Sequence, residues 1–409
     1  MLMKKWFSQI GPATLIAAAF IGPGTVTLCS IAGVNFGYQL LWAMLLSIAA
    51  TIVLQEMSAR LGLISQKGLS EILRQEIEQP IFRVGAIVLV LSAIIIGNAA
   101  YEAGNISGGV LGLSAIFPNN KLVLLGWEIN FLSLVLGGLA FGLLYSGSYK
   151  VLERSLIALV VLMSFSFLVT AFITRPDPEA VFKGLFVPSI PENGLLTIVG
   201  LIGTTVVPYN LFLHASLVKE KWKKPTDLKY VVKDTIVAIL VGGMVSMAII
   251  ISAAGSGLQE IQNAVDLAEG LVPLYGASAK YFMAIGLFAS GITSAITAPL
   301  AAAYVARGIF GWKDGMKTKK IRSVWMFILF LGVLFSSLNI KSIEIIKFAQ
   351  VTNGILLPVI SGFLLWVMNK RSVLGSYVNN LSQNVFGFII LGVAIFLGAK
   401  SIWKVFYSM

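Results

Sequence analysis

The sequence is poor in the residues that catalysis and metal clusters usually require. Its 409 residues include one cysteine, Cys29, and one histidine, His214. A single cysteine excludes an intramolecular disulfide and argues against a thiolate metal cluster. Hydrolases and acyl transferases need a positioned nucleophile with its base, and no phosphate-binding Gly-x-x-x-x-Gly-Lys-Ser/Thr loop is present. We therefore expect neither an enzyme, nor a bound cofactor, nor direct use of ATP.

Charged residues are also scarce. They make up 12% of the chain, against 57% hydrophobic residues, whereas soluble domains carry about 25% charged residues. A helix that crosses a bilayer needs about 20 mostly apolar residues. This criterion predicts an all-α polytopic membrane protein with eleven spans, at residues 10–36, 39–62, 82–106, 122–146, 151–174, 194–218, 231–254, 279–308, 322–340, 343–369 and 384–407.

The basic residues predict the orientation. If the N-terminus is cytoplasmic, 22 of the 30 Lys and Arg residues fall in inner segments, as the positive-inside rule requires. This pattern explains the net charge of +12 better than nucleic-acid binding does. Lys4 and Lys5 lead directly into a span too long for a cleavable signal. We expect a monomer in a bacterial inner membrane, N-terminus inside and C-terminus outside, with the lipid bilayer and no nucleic acid as partner.

Two of the spans are interrupted in their middles. Span 1 contains Gly22-Pro23-Gly24-Thr25, and span 6 contains Thr204 to Asn210 with Pro208. A proline removes a helical hydrogen bond, and freed backbone groups are tolerated in a membrane only inside protein or beside a wet cavity. Ordinary proline kinks are the alternative. Because the breaks lie five helices apart, they indicate two inverted repeats of five helices, at about 10–174 and 194–369, plus an extra helix at 384–407. All 409 residues would then form one transporter domain.

The breaks supply the candidate substrate site. Half-helix ends present carbonyls on one side and N–H groups on the other. In span 10, Gln350 and Asn353 are three residues apart and share a helix face. They either join neighbouring helices through side-chain hydrogen bonds or line the site. The predicted helix-break residues are Pro23, Gly24 and Pro208, and the predicted substrate-binding residues are Gly22, Thr25, Thr204, Val207, Tyr209, Asn210, Gln350 and Asn353.

Two ionisable residues within spans are candidates for proton coupling. Glu102 lies deep in span 3 beside Asn98 and Asn105, and His214 lies one turn past Asn210. Ionisable residues inside membrane spans are functional candidates, and histidine titrates near neutral pH. A structural hydrogen bond is the alternative for His214.

Several of these segments resemble the Nramp family of proton-coupled divalent-metal importers, which have the LeuT-type fold. Gly22-Pro23-Gly24-Thr25 resembles the family's Asp-Pro-Gly-Asn motif in helix 1. Val207-Pro208-Tyr209-Asn210 resembles Met-Pro-His-Asn in helix 6, and Leu213-His214-Ala215-Ser216 resembles the Leu-His-Ser that follows it. Phe36 to Trp42, Ser58 to Gly62, and Gln350 to Pro358 also match family segments. The resemblance covers nearly the whole chain.

The departures from the family pattern concern the metal ligands. Gly22 stands at the family's aspartate, Thr25 at its asparagine and Val207 at its methionine. Tyr209 replaces the histidine after the proline, and Ala99 replaces an aspartate of helix 3, while Glu102 keeps the neighbouring glutamate. The resemblance therefore implies the family's fold without its usual metal ligands.

Two substrate hypotheses remain open at this stage. A divalent cation leaving water needs anionic or strong oxygen ligands, and a thioether selects softer metals. Their loss favours a small polar or carboxylate solute, moved by alternating access with H⁺ or Na⁺, and no metal bound at Gly22, Thr25 or Val207. The alternative is a divalent cation of the Mn or Mg type, held by neutral oxygen ligands.

Overall fold

The structure, a computed structural model, describes residues 21–124, 126–147, 150–313, 315, 317–338 and 340–407. The first part of span 1, residues 10–20, lies outside these residues, as do Lys4 and Lys5. The described helices are α1 (Pro23–Phe36), α2 (Leu41–Ser65), α3 (Leu69–Glu76), α4 (Pro80–Ser114), α5 (Phe131–Ser146), α6 (Lys150–Ile173), α7 (Pro178–Phe186), α8 (Leu195–Thr205), α9 (Pro208–Lys221), α10 (Leu228–Ala254), α11 (Ala264–Glu269), α12 (Val272–Tyr275), α13 (Ala279–Phe310), α14 (Lys319–Ser337), α15 (Ser342–Met368), α16 (Arg371–Leu374) and α17 (Leu381–Tyr407).

The predicted spans correspond closely to the long helices. Nine segments of the described chain are long and apolar enough to cross a bilayer. They are spans 2, 3 and 5 to 11 of the sequence analysis, with α8 and α9 together forming span 6. The polytopic helical fold is therefore confirmed, and α1 represents the described part of span 1.

Span 4 begins later than predicted. Residues Lys121–Leu124 and Trp127–Asn130 form an antiparallel hairpin, β1 and β2, in which Lys121 pairs with Asn130. Gly126 turns the chain with φ of +84°, a conformation that glycine adopts without steric penalty. The helix α5 then has only 16 residues, and Asn130 caps it by accepting a hydrogen bond from the N–H of Leu132 at 3.1 Å. The prediction of a helix from residue 122 was wrong.

The sixth span is broken where the sequence predicts. The helix α8 ends at Thr205, Val206 and Val207 leave the helical conformation, and α9 restarts with Pro208 at its first position. On the other side of the site, α1 also starts with a proline, Pro23, and Gly22 before it is extended. Proline is well suited to the first turn of a helix because its missing N–H would have no helical partner there.

Close helix packing surrounds the start of α1. The 35-residue helix α4 is about 52 Å long at 1.5 Å per residue, and it packs against α13, α14 and α15. Gly108 of α4 lies directly on the Pro23 ring, and Gly109 lies on Gly291 of α13. Small residues let helix backbones approach closely in membranes, so the start of α1 is held against a densely packed core.

A second close contact joins α2 to α9. Gly62 of α2 lies against the backbone of Ala215, and the Ser58 hydroxyl donates a hydrogen bond to the Leu211 carbonyl. At the α8 end, the Ser47 hydroxyl of α2 is hydrogen-bonded to that of Thr205. The helix α2 therefore supports both halves of the broken span.

Candidate functional site

The C-terminal end of α8 leaves backbone carbonyls without helical partners. Thr204 lies four residues before Pro208, and proline has no N–H to donate to the carbonyl four residues back. The Thr204 hydroxyl donates to the Leu201 carbonyl at 2.7 Å, which leaves its own oxygen lone pairs available. The carbonyl and the hydroxyl of Thr204 lie in a part of the chain where Thr204, Thr205, Val207 and Asn210 are all buried. Freed carbonyls at a helix C-terminus carry partial negative charge.

The start of α1 faces the same region through Gln350 of α15. A Cβ on Gly24 would overlap the Gln350 side-chain amide, so the two residues are in direct contact. Gly203 of α8 in turn packs against the backbone carbonyl of Gln350. Gln350 of span 10 thus contacts Gly24 of span 1 through its side chain and Gly203 of span 6 through its backbone. Gly22, which precedes α1, and Pro23, Gly24 and Thr25 in its first turn are all buried.

Asn353 lies one turn beyond Gln350. Both side chains are buried, at 2% and 1% exposure, as expected for amides that avoid lipid. The Asn353 amide oxygen lies near Gly97 of α4, 3.7 Å from the position of a Cβ there. Gln350 therefore faces α1 and α8, whereas Asn353 faces α4.

Several buried amide atoms in this region have no hydrogen-bond partner within the described chain. They are both amide atoms of Asn210, the Oε1 atom of Gln350 and the Nδ2 atom of Asn353. A buried polar group without a partner costs about 1–3 kcal/mol, and most such groups in proteins are satisfied. These amide atoms can consequently form hydrogen bonds to a polar ligand or to water.

The site is electrically neutral at the positions where the family pattern has ligands. Gly22 offers only backbone, Val207 a hydrocarbon side chain and Tyr209 a phenol. Across the described residues, no group of three or more His, Cys, Asp or Glu side chains is placed to hold a metal ion. The atoms that can coordinate a metal ion are the oxygens of carbonyls, hydroxyls and amides, and these suit hard cations rather than soft ones.

Tyr209 connects the break to α4. Its ring contacts that of Tyr101 edge to face, with centroids 5.3 Å apart, and both rings are almost fully buried. Sequence reasoning missed Tyr101, although its position next to Glu102 could have drawn attention to it. The pair packs the first turn of α9 against α4 through aromatic surface.

Glu102 is a fully buried carboxyl group on α4. Its Oε2 atom accepts a hydrogen bond from Asn105 at 3.4 Å, and its Oε1 atom has no hydrogen-bond partner among the described residues. Gly332 of α14 packs directly on its side chain. No salt bridge of the described chain involves Glu102. Since an unpaired buried carboxylate is very costly, this group favours holding a proton or facing a cation.

His214 lies on α9, on the side facing α2. Its Nδ1 atom is 2.7 Å from Oε1 of Gln55, and both side chains are buried. The Nε2 atoms of both residues have no described partner. Gln55 was missed by the sequence analysis, although a mid-span amide was the signal that singled out Gln350. The hydrogen-bond partners of Glu102 and His214 thus lie on different helices, α4 and α2.

A buried ion pair lies near the end of α2. The Arg60 Nε atom is 2.9 Å from the Glu56 carboxylate, and these side chains are 5% and 17% exposed. Arg60 also donates to the Tyr377 carbonyl and to Asn379 Oδ1, both at 2.8 Å. The guanidinium therefore connects α2 to the segment between α16 and α17.

Comparison with known proteins places this architecture in a family. The sequence model described as "Natural resistance-associated macrophage protein-like" (Nramp) matches residues 13–404. A protein of Verminephrobacter eiseniae, described as divalent metal cation transporter MntH, is 30% identical over 381 residues, which cover 91% of this chain and 83% of that protein.

Solved structures show the same fold. A crystal structure of an Eremococcus coleocola manganese transporter superposes with a TM-score of 0.76 at 20% identity, covering 98% of this chain and 87% of that one. The crystal structure of MhsT in complex with L-phenylalanine superposes with a TM-score of 0.58 at 14% identity, covering 96% of this chain and 98% of that one. The predicted LeuT-type architecture is confirmed, and homologues that are transporters agree with the expectation that the chain is no enzyme. The chain is an integral membrane protein of the Nramp family.

Proposed function

We propose that this protein is a secondary transporter that carries a divalent metal cation of the Mn or Mg type, by alternating access around the site between α1, the α8–α9 break and α15. The observation that carries the proposal is the set of unpartnered amide oxygens of Asn210 and Gln350 at this break. Relatives described as divalent metal cation transporters support the choice of substrate. They favour it over the expected small polar or carboxylate solute.

Neutral oxygens can act as the ligands of such an ion. The freed carbonyl of Thr204, the amide oxygens of Asn210 and Gln350, and the hydroxyl of Thr204 are the donors we assign. Mg²⁺ usually keeps several of its waters when it is bound by protein, so a site with few protein ligands suffices. Val207 provides no sulfur, and the site therefore lacks a preference for soft transition metals.

Uptake into proteoliposomes of the purified full-length protein tests this proposal. The wild type is compared with the variant Gly22→Asp/Thr25→Asn/Val207→Met, using Mn²⁺, Mg²⁺ and Cd²⁺. We expect saturable Mn²⁺ and Mg²⁺ uptake by the wild type and a gain in Cd²⁺ over Mg²⁺ selectivity in the variant, because it adds a carboxylate and a thioether. Gly138→Ala, at a position with open space around it, is the control.

A wild type that is folded but silent with every metal would exclude the metal proposal. Small organic acids are then the next substrates to measure, since the neutral site has no carboxylate at Gly22 to repel them. Uptake measured in the same proteoliposomes therefore distinguishes a metal substrate from an organic-acid substrate.

We also propose proton coupling through Glu102 or His214, with Na⁺ as the alternative coupling ion. The isolation of Glu102 from any described basic partner supports the first residue, and the unpartnered Nε2 atom supports the second. We further propose a monomer of one domain with inverted repeats, N-terminus inside. Maleimide labelling of Lys223→Cys and Glu192→Cys in right-side-out vesicles, in a Cys29→Ala background, tests the orientation; only Glu192→Cys should react with an impermeant reagent.

A further inference from the structure

The edge between α5 and α14 combines positive charge with exposed aromatic rings. We call the residues Phe141, Tyr145, Lys317, Arg322 and Trp325 the α5–α14 edge. The Arg322 guanidinium lies 4.3 Å from the Tyr145 ring centroid. Tyr145 stacks on Phe141 with centroids 5.8 Å apart, and Phe141 packs on Trp325 at 5.6 Å. The result is a ladder of one cation and three rings that crosses from α14 to α5 and back.

The ladder runs from the interior to the surface. Trp325 is 2% exposed, whereas Phe141 and Tyr145 are 42% and 51% exposed. Neighbouring apolar side chains of α5, Leu134, Val135 and Leu139, are also exposed. In an integral membrane protein such a face contacts acyl chains, and tyrosine is typical of the membrane–water boundary. The charged end of the ladder therefore marks the headgroup level.

The positive charge at this end is not neutralised by the described protein. Residues 307–322 contain six basic residues and one acidic residue, Asp314. Lys317 reaches α5, with its Cε atom 3.6 Å from the position of a Cβ on Gly147. Within the described chain, neither Lys317 nor Arg322 forms an ion pair. Two cations thus converge on the end of α5, and neither has an acidic partner among the described residues.

We propose that the α5–α14 edge binds an anionic phospholipid, whose phosphate contacts Lys317 and Arg322 and whose acyl chain lies along Phe141 and Tyr145. Basic sites between transmembrane helices suit anionic headgroups, and the Arg322 side chain can extend to the interface while its stem covers apolar surface. Tyr145 holds the guanidinium in place through a cation–π contact. Charge complementarity and the position beside the acyl-chain surface select a lipid as the occupant. This inference does not depend on the transported substrate.

Native mass spectrometry of the full-length protein in a neutral detergent tests the proposal. The probes are dioleoylphosphatidylglycerol and dioleoylphosphatidylcholine at equal concentration. We expect the wild type to retain the anionic lipid preferentially, and Lys317→Ala/Arg322→Ala to lose at least two thirds of that preference. Tyr145→Leu keeps every charge and removes the ring, so it should lower the preference by a smaller factor.

A matched control separates a site from net charge. Lys223→Ala/Lys224→Ala removes the same charge from two exposed lysines elsewhere, and it should retain the wild-type preference. Unfolding temperatures verify that each variant is folded; if the double variant does not fold, Arg322→Gln replaces it. Equal retention of both lipids by the wild type, unchanged retention by the edge variants, or an equal loss in the control would each overturn the proposal.

Discussion

The side-chain amide of Gln350 lies directly against the Cα of Gly24, so that the middle of α15 contacts the first turn of α1. This contact joins two of the three segments that form the candidate site. It requires a residue without a side chain at Gly24, because a Cβ there would overlap the amide. The Gln350 oxygen, which has no partner in the described chain, is held in position by this contact.

Gly24→Ala should impair transport more than folding. The new methyl group displaces the end of a flexible side chain rather than backbone, so the unfolding temperature should change little. A displacement of about 1 Å in a positioned group can cost about 100-fold in rate, and we expect at least a tenfold loss of metal uptake. Uptake and thermal unfolding in detergent measure the two effects. Gly138→Ala is the control, and a Gly24→Ala protein with normal uptake would show that the Gln350 position is unimportant.

Gly203→Ala should impair folding itself. Here the added Cβ would overlap the backbone carbonyl of Gln350, which cannot rotate away as a side chain does. Overpacking of this kind costs about 1–3 kcal/mol, and the folded yield should fall accordingly. The matched change Gly392→Ala, with open space around it, should leave the yield unaltered. If Gly203→Ala unfolds at the same temperature as Gly392→Ala and the wild type, this would contradict the close packing of α8 on α15.

Arg60→Met should destabilise the protein strongly. It leaves the mostly buried Glu56 carboxylate without its partner, and removing one member of a buried ion pair costs about 3–5 kcal/mol. The exposed pair of Glu344 and Lys347 provides the comparison, with side chains 55% and 42% exposed. Lys347→Met should cost at most about 1 kcal/mol. Denaturant unfolding in micelles gives both values, and equal effects would contradict a structural role of Arg60.

The proton-coupling candidates can be separated by a pH gradient. We expect Glu102→Gln to abolish the stimulation of metal uptake by an inwardly directed proton gradient, because it keeps the shape and removes the proton-binding group. His214→Ala should reduce the stimulation if the imidazole of His214 binds the coupled proton. Uptake driven by the membrane potential alone, without a pH gradient, is the control measurement. If both variants retain full stimulation, protons take another route or coupling uses Na⁺.

Much of the fold follows from the sequence because its signals are local. Long apolar runs predict the helices of spans 2 and 7 to within a few residues, and Pro208 predicts the α8–α9 break. The hairpin at Lys121–Asn130 was missed because a short apolar run does not distinguish a strand from a helix. The strand pairing and the positive φ of Gly126 define the turn, and neither can be read from the sequence.

The contacts within the site follow less directly. Gln350 and Asn353 could be identified as interior amides, since polar groups avoid lipid. Their neighbours Gly24 and Gly97 could not, because the rotation of one buried helix against another is not encoded in a local pattern. The pairings of Tyr101 with Tyr209 and of Gln55 with His214 join residues far apart in the chain. Such pairs depend on how the helices assemble.

The broken span also has a consequence for the biogenesis of the protein. The helix α8 has 11 residues and α9 has 14, and neither half reaches the roughly 20 residues that cross a bilayer. Together, Leu195–Lys221 is a single apolar segment of 27 residues. Both halves must therefore be inserted into the bilayer together, as one segment. The contact of Gly203 with the Gln350 carbonyl requires α15, which follows the broken span in the chain, so this part of the site forms late in assembly.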